Sequence, residues 1–314
     1  AFNDLLMIAS IIYTVFWLWV RIIFGVFALA VILLWYYQHK LLYFPSLNGP
    51  RQISSNDHNL RSPASWNLPF IENWIVTSDN VLIHSWLILN PDSTNRPTVI
   101  FFHGNAGNIG YRLPIAYALY NTSQVNVLMV EYRGYGNSNG EPSESGLSLD
   151  AESALHWASA QGDKIDPRRI FLFGKSLGGA VSLKLSSQHP QLIKGTIVEN
   201  TFTTIDEMGV TMASRLGMPY LLDGLRLFLA FFLTSHWNNE FYITQVQKPV
   251  LLLSGSGDEL VPPAHMKKLH DLSAPNLCRL ISYPGGHNDT DIQAGEKYYL
   301  DIKEFINAHE TPSC

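Results

Sequence analysis

The chain has 314 residues, of which 46% are hydrophobic and only 15% are charged. A formal net charge of −5 argues against a nucleic-acid-binding protein, which would need a basic face to meet phosphates. Two cysteines provide neither a disulfide framework nor the spacing of metal ligands. The length suits one large domain with a short accessory segment, because single cores stop growing at about 250–300 residues.

The N-terminal segment is strongly apolar, and Asp4 and Arg21 are the only charged residues in its first 37 positions. A membrane span needs about 20 apolar residues, so this run is too long for one upright span and too short for two. We predict one membrane-spanning helix over residues 21–37, which His39 and Lys40 end, preceded by an apolar stretch in or near the interface. A cleaved signal peptide is the alternative, but it normally has a shorter apolar region and a small-residue cleavage site.

After this predicted anchor at residues 1–40, a linker rich in Pro, Ser and Asn covers residues 41–72, and a domain covers residues 73–310. In the domain, continuous apolar runs of strand length alternate with stretches of helical periodicity. Such runs are typical of parallel strands covered on both faces. We therefore predict an α/β fold with a mostly parallel, doubly wound sheet. The predicted strands are 74–77, 81–89, 98–102, 125–131, 169–173, 195–199, 249–254 and 279–283, and the predicted helices lie near 109–121, 145–161, 176–188, 262–272 and 291–309.

One region interrupts this alternation. About 50 residues separate the strand that ends at Glu199 from the one that begins at Pro249, which is far more than a simple crossover needs. The strongly apolar stretch 221–233 lies within this region. Two interpretations remain open, an additional packed helix and an apolar cap insertion over the active site at about residues 203–245.

A nucleophile elbow is predicted at residues 174–178, Gly-Lys-Ser-Leu-Gly, which follow an apolar strand and open a helix. In such a turn the nucleophile adopts strained backbone angles, and the flanking glycines avoid steric clashes. The hydroxyl of Ser176 then stands at a helix N-terminus, where backbone amides face developing negative charge. An ordinary glycine-rich turn between a strand and a helix is the alternative.

A serine nucleophile needs a base that a third group orients. In folds with this elbow, the order along the chain is nucleophile, acid, histidine. Asp258 and His287 each follow an apolar strand directly, and catalytic groups gather at the carboxyl ends of strands in open α/β sheets. We predict a catalytic triad of Ser176, His287 and Asp258. Glu199, which also ends a strand, is the alternative acid.

A second glycine-rich loop, His-Gly-Asn-Ala-Gly-Asn at residues 103–108, follows another central strand. Acyl transfer passes through a tetrahedral oxyanion, which preorganised amide donors stabilise by several kcal/mol. We predict an oxyanion hole formed by the backbone N–H groups of Leu177 and Asn105. A phosphate-binding loop is the alternative, but the lysine-serine ending that such a loop needs is missing.

These motifs, in this order, resemble those of the α/β-hydrolase domain-containing proteins, and in particular the single-pass membrane group typified by member thirteen and the fungal bud-emergence-type proteins. The resemblance rests on the loop 103–108, on Glu-Tyr-Arg-Gly-Tyr-Gly at 131–136, on 174–179, on Glu-Asn-Thr-Phe at 199–202, and on the turns of Asp258 and His287. It implies an α/β-hydrolase fold with Ser176, Asp258 and His287 as the charge-relay residues. Glu131 stands where relatives often have aspartate.

The resemblance also implies a single-pass, type II anchor with a cytoplasmic N-terminus, and by analogy a thioesterase role on S-acylated proteins. The residues themselves predict a serine hydrolase that cleaves an ester or thioester through an acyl-enzyme, with no metal or organic cofactor. A tether and the apolar stretch 221–233 favour a fatty-acyl substrate, such as an S-acylated protein, a lysophospholipid or a monoglyceride, with the lipid bilayer as a partner. Small soluble esters are an alternative. A non-enzymatic membrane scaffold on the same fold is a second class, but it would not need all three triad groups at strand ends.

Overall fold

The computed structural model describes residues 2–46, 49–215 and 232–310, together with Gly217 and Gly224. Its centre is an eight-stranded sheet that is covered on both faces. The strands are β1 (Phe70–Val76), β2 (Leu82–Ile88), β3 (Thr98–Phe102), β4 (Asn126–Val130), β5 (Ile170–Lys175), β6 (Gly195–Glu199), β7 (Val250–Gly255) and β8 (Cys278–Tyr283). The helices of the described residues are α1 (Phe2–Leu42), α2 (Leu113–Ala118), α3 (Glu144–Ser159), α4 (Leu177–Gln188), α5 (Ile205–Arg215), α6 (Asn239–Gln245), α7 (Pro263–Leu272), α8 (Thr290–Ala294) and α9 (Glu296–His309).

The strand order in the sheet is β1-β2-β4-β3-β5-β6-β7-β8. β2 pairs antiparallel with β1 and β4, and every pairing from β4 to β8 is parallel. This confirms the predicted α/β-hydrolase architecture with a mostly parallel sheet. β1 begins at Phe70, four residues before its predicted start. β1 is an edge strand with mostly exposed side chains, so its apolar signal is weak.

The alternation of side chains along the central strands divides the core between the two faces of the sheet. Ile100 and Phe102 of β3 belong to the cluster that includes Ala180 of α4. Phe101 belongs to the cluster on the other face, with Phe173 of β5 and Tyr298 of α9. Successive strand residues point to opposite faces, so a continuous apolar run buries both. Because β5, β6 and β7 pair in parallel, their carboxyl ends lie at one edge of the sheet.

The N-terminal segment is one continuous helix of 41 residues, α1. At 1.5 Å per residue its length is about 61 Å, and the helix does not break at residue 21, where the predicted span begins. The segment contains no proline that would break the helix. The hydroxyl of Thr14 donates a hydrogen bond to the carbonyl oxygen of Ser10, one turn earlier in the same helix, at 2.8 Å. The part Phe2–Lys40 is apolar enough to cross a membrane.

Two predicted helices are shorter or divided in the structure. The helix predicted at 109–121 has α-helical geometry only at Leu113–Ala118, between a 3₁₀ turn and a π turn. The helix predicted at 291–309 is split into α8 and α9 by Gly295, whose φ is +62°. Most of the apolar stretch 221–233 lies outside the described residues, so the insertion is represented here by α5, α6 and the segment 232–238.

Candidate active site

Ser176 lies on the turn between the end of β5 and the start of α4. Its φ of +54° and ψ of −115° lie outside the regions that non-glycine residues favour. A Cβ on Gly174 would lie 2.0 Å from the carbonyl oxygen of Gly178. A Cβ on Gly178 would lie 1.9 Å from the carbonyl oxygen of Phe102. The turn therefore requires glycine at both positions, and it has the tight strand-to-helix geometry that was predicted for residues 174–178.

The structure brings the three predicted triad side chains together. Nε2 of His287 lies 3.0 Å from Oγ of Ser176, and Nδ1 of His287 lies 2.7 Å from Oδ2 of Asp258. The other carboxylate oxygen of Asp258 accepts hydrogen bonds from the N–H groups of Leu260 and Val261 at 2.9 and 2.8 Å. The histidine side chain is 10% exposed and the aspartate side chain 1%. This arrangement can pass a proton from the hydroxyl to an imidazole that a carboxylate orients.

Asn200 holds the loops that carry Asp258 and His287, and no role was predicted for it from the sequence. Its Oδ1 accepts a hydrogen bond from the N–H of Gly255, at the end of β7, at 2.8 Å. Its Nδ2 donates to the hydroxyl of Thr290, at the start of α8, at 2.9 Å, and lies 3.4 Å from the carbonyl oxygens of Gly286 and His287. Asn200 has a φ of +48°, which asparagine tolerates better than most residues. Its position directly after β6 is the sequence signal that could have identified it.

Glu199, the alternative acid, makes its contacts elsewhere. Its carboxylate lies 2.9 Å from Nζ of Lys175 and accepts a hydrogen bond from the hydroxyl of Tyr298 at 2.8 Å. The register of β5 and β6 pairs Lys175 with Glu199 directly. Burial, with Glu199 close by, holds the pKa of Tyr298 well above its usual value. Asp258 is thus the carboxylate in contact with His287, and Glu199 forms an ion pair with the buried lysine that precedes Ser176.

The loop after β3 lies against Ser176, since a Cβ on Gly104 would be only 3.6 Å from Cβ of that serine. The buried ring of His103 fixes the start of this loop. Its Nε2 lies 3.1 Å from the carboxylate of Glu131, and its Nδ1 lies 2.7 Å from the carbonyl oxygen of Gly104. The hydroxyl of Tyr132 donates to the carbonyl oxygen of His103 at 2.9 Å. Glu131 therefore contacts the histidine that begins this loop.

The two predicted oxyanion donors are the backbone N–H groups of Leu177 and Asn105. Neither donates a hydrogen bond within the part of the chain that the structure describes. The side chain of Asn105 fastens its loop to the residues at the end of α1. Its Nδ2 donates to the carbonyl oxygen of Leu42 at 2.5 Å, and its Oδ1 accepts from the N–H of Phe44 at 3.3 Å. The same oxygen accepts from the buried hydroxyl of Tyr135 at 2.8 Å.

A cavity of about 510 Å³ includes Ser176 and His287 in its wall. This volume lies in the range of small-molecule sites, about 300–1,000 Å³. Apolar side chains of α5 and of the end of α1 make up much of the remaining wall. Arg112 also lines the cavity, and its guanidinium donates to the carbonyl oxygen of Ala106 at 2.9 Å. The site thus combines polar groups around the serine with an apolar compartment.

A possible metal site lies apart from this cavity. Among the described residues, Glu152, His156 and His189 have ligand atoms within 4.8 Å of one another. They lie on α3 and at the end of α4, and α4 begins beside Ser176 at its other end. These residues therefore take no part in the geometry of the triad.

Comparison with known proteins agrees with this fold. Residues 97–232 match the family model described as alpha/beta hydrolase fold. The chain is 37% identical to the alpha/beta hydrolase domain-containing protein WAV2 of Arabidopsis thaliana, over 91% of this chain and 92% of that protein. It is 36% identical to protein bem46 of Schizosaccharomyces pombe, over 92% and 94% of the two chains. The chain belongs to the family of α/β-hydrolase domain-containing proteins that includes these relatives.

A third relative and a solved structure extend the comparison. A Saccharomyces cerevisiae protein described as an uncharacterized membrane protein, YNL320W, is 35% identical over 88% of this chain and 92% of its own. The Pyrococcus furiosus esterase Pf2001 superposes with a TM-score of 0.67 at 20% sequence identity, covering 86% of this chain and 98% of the esterase. At that identity the likeness to the esterase shows a shared fold.

Proposed function

We propose that the protein is a membrane-tethered serine hydrolase that cleaves an ester or thioester and that its substrate carries a fatty-acyl chain. The observation that supports the chemistry is the hydrogen-bonded series from Ser176 through His287 to Asp258, at 3.0 and 2.7 Å. Nucleophilic acyl transfer requires a nucleophile and a base at such distances, with a third group orienting the base. The strained turn at Ser176, kept by two glycines, supports the same conclusion.

In the proposed reaction, His287 takes the proton of Ser176 as the serine oxygen attacks the substrate carbonyl. The N–H groups of Leu177 and Asn105 stabilise the negative charge that develops on the carbonyl oxygen. His287 then gives its proton to the departing alcohol or thiol, which leaves an acyl-enzyme. A water molecule, deprotonated by His287, releases the acyl group as a carboxylic acid and restores the serine. This sequence of steps requires no metal or organic cofactor.

The proposed tether is α1. Large apolar side chains are exposed along it, including Ile23 at 64%, Phe24 at 71% and Val26 at 64%. A contiguous apolar surface of this kind is unfavourable in water and suits the interior of a bilayer. The proposed topology is a single-pass, type II anchor with a cytoplasmic N-terminus.

A fatty-acyl substrate is supported by the apolar compartment of the cavity. Ile205, Met208 and Met212 of α5 line it at the spacing of one helix face. Substrates that fit are S-acylated proteins, lysophospholipids and monoglycerides, each of which presents an acyl carbonyl at the end of an apolar chain. Small soluble esters would leave this compartment unfilled.

A fluorophosphonate probe tests the chemistry in the full-length protein in membranes, because it reacts covalently with activated serines. We expect labelling of the wild type and none of Ser176→Ala or His287→Ala. His270→Ala, which changes a surface histidine on α7, is the matched control and should label like the wild type. Absence of labelling in the wild type, in a sample where another serine hydrolase reacts, would refute the enzymatic function and leave a membrane scaffold.

A comparison of cells that express the wild type with cells that express Ser176→Ala tests the substrate class. We expect an acyl-protein or acyl-lipid species to accumulate in the variant. Accumulation of S-acylated proteins would identify a thioesterase, and accumulation of lysophospholipids or monoglycerides a lipase. A change confined to short soluble esters would contradict the fatty-acyl assignment.

A further inference from the structure

We infer that the C-terminal end of α1 is part of the active site: Leu34 and Leu42 form a wall of the acyl compartment and help to determine which acyl chains the enzyme accepts. This inference rests on the proposed function, because it assigns a role within the same cavity. According to this inference, α1 contributes to substrate selection as well as anchoring the protein.

The first support is the spacing of the α1 residues that reach the cavity. Leu34, Gln38 and Leu42 all line it, and they lie four residues apart on one face of the helix. Leu33 and Trp35, on either side of Leu34, are 47% and 58% exposed and do not line the cavity. One face of the helix is therefore turned towards Ser176, and the neighbouring face is turned away.

The second support is a set of polar contacts that fix this face in place. Gln38 is buried near the end of α1, and its Oε1 accepts hydrogen bonds from the N–H and the hydroxyl of Thr234 at 2.7 and 3.0 Å. Its Nε2 donates to the carbonyl oxygen of Trp35 at 2.8 Å, so both ends of the amide are satisfied. The hydroxyl of Tyr43, just after the helix, accepts from the indole N–H of Trp237 at 3.1 Å. These bonds set the rotation of α1 relative to the catalytic domain.

The third support is the direction in which the wall runs. The carbonyl oxygen of Leu42 accepts a hydrogen bond from the side chain of Asn105, which belongs to the predicted oxyanion loop. Leu34 lies eight residues earlier, which is about 12 Å along the helix axis. The wall thus starts beside the reacting carbonyl and leads along α1 towards its exposed apolar part. Met212 lines the cavity while 48% exposed, so the compartment reaches the surface on the α5 side.

From these contacts the occupant of the compartment is the acyl chain of a lipid or lipidated substrate, lying along α1 with its carbonyl at Ser176. A larger side chain at Leu34 should shorten the far end of the compartment without touching the triad. Long acyl chains would then lose burial, while short chains, which end before Leu34, would keep theirs. Each methylene that a site buries is worth about a fourfold factor in binding, so the loss of room for two methylenes amounts to more than tenfold.

The test compares Leu34→Trp with Leu33→Trp in the full-length protein in detergent micelles. The substrates are acetyl, butyryl, octanoyl, dodecanoyl and palmitoyl esters of one leaving group, and the measured quantity is kcat/KM for each. Leu34→Trp should lower the ratio of the dodecanoyl value to the butyryl value at least tenfold. Leu33→Trp, which places the same bulk on the exposed face, should reproduce the wild-type profile.

Leu34→Ala keeps the test decisive if the tryptophan variant does not fold, as judged by loss of probe labelling and butyryl hydrolysis. Because Leu34→Ala enlarges the compartment, it should raise kcat/KM for the palmitoyl ester relative to that for the dodecanoyl ester. A wild-type chain-length profile in a folded Leu34 variant would overturn the inference while leaving the hydrolase function intact. If the wild type hydrolyses none of the esters and Ser176 is not labelled, the proposed function itself fails.

Discussion

Replacing Asn105 by alanine should lower kcat while leaving KM nearly unchanged. The backbone N–H that we assign to the oxyanion hole remains in Asn105→Ala, but the side chain that holds its loop is removed. That side chain makes three hydrogen bonds, with the carbonyl of Leu42 at 2.5 Å, the N–H of Phe44 at 3.3 Å and the hydroxyl of Tyr135 at 2.8 Å. The loop would lose its attachment to the end of α1.

The magnitude follows from these contacts. Removing an oxyanion donor outright costs about 10²–10³ in kcat, so misplacing one that is still present should cost less, about 10–100-fold. Each of the three hydrogen bonds contributes about 1 kcal/mol, and Phe44 is exposed enough for water to replace its bond, so we expect a loss of about 2 kcal/mol in the free energy of unfolding. Tyr135→Phe removes one of the three bonds and leaves Asn105 attached by the other two. It should therefore have a severalfold smaller effect on kcat.

Steady-state kinetics on a butyryl ester, with thermal unfolding in the same detergent, measure both quantities. A short acyl chain keeps the acyl compartment out of the comparison. If Asn105→Ala is folded and its kcat is within twofold of the wild type, the side chain does not position the loop, and the reasoning is refuted. A rise in KM with unchanged kcat would place Asn105 in substrate binding instead.

Three further predictions concern the acid, the elbow and a buried carboxylate. Asp258→Asn keeps an acceptor for the N–H groups of Leu260 and Val261 but presents an amide to His287, so kcat should fall about 10³–10⁴-fold, and activity near wild type would exclude Asp258 as the acid. Gly178→Ala should destabilise the fold by about 3 kcal/mol or more in chemical denaturation, because its Cβ meets a backbone carbonyl at 1.9 Å. Gly162→Ala is the control, because its added Cβ would have no neighbouring atom of the described residues within 4 Å, and equal stability of the two variants would contradict the close approach at Gly178. Burial raises the pKa of Asp150 from 3.8 to about 6, so the folded protein holds this proton more tightly, and the stability it contributes is present below pH 3.8 and lost as the pH rises to 6. The stability of the wild type relative to Asp150→Asn should therefore fall as the pH rises across that window, and a difference that does not change with pH would disprove the shift.

The sheet and the positions of the candidate triad follow largely from local patterns in the sequence. Apolar runs of strand length predicted all eight strands, since burial on both faces leaves a continuous signal. The meeting of Ser176, Asp258 and His287 is predictable because parallel strands bring their carboxyl ends to one edge. The pattern failed where burial is weak, as in β1, whose exposed side chains do not identify its first residues.

The contacts that hold the site together could not be predicted in the same way, because they join residues far apart in the sequence. Asn105 and Leu42 are 63 positions apart, and Gln38 and Thr234 are 196 apart. No periodicity specifies such pairs. A local signal was nevertheless present at Gln38, a lone amide near the end of an apolar run, since a polar group placed there must find a partner when it is buried.

The backbone of Ser176 has a consequence for how an inactive form of the protein should be made. Its dihedral angles destabilise the folded state by about 1–3 kcal/mol for a residue with a Cβ, and glycine largely avoids this strain. The proposed nucleophile therefore occupies a position whose backbone angles favour glycine. Ser176→Gly should melt at a higher temperature than the parent, whereas Ser176→Ala retains the unfavourable angles. Alanine is accordingly the better substitution for trapping a bound substrate, because it removes the oxygen and leaves the conformation of the turn as it is.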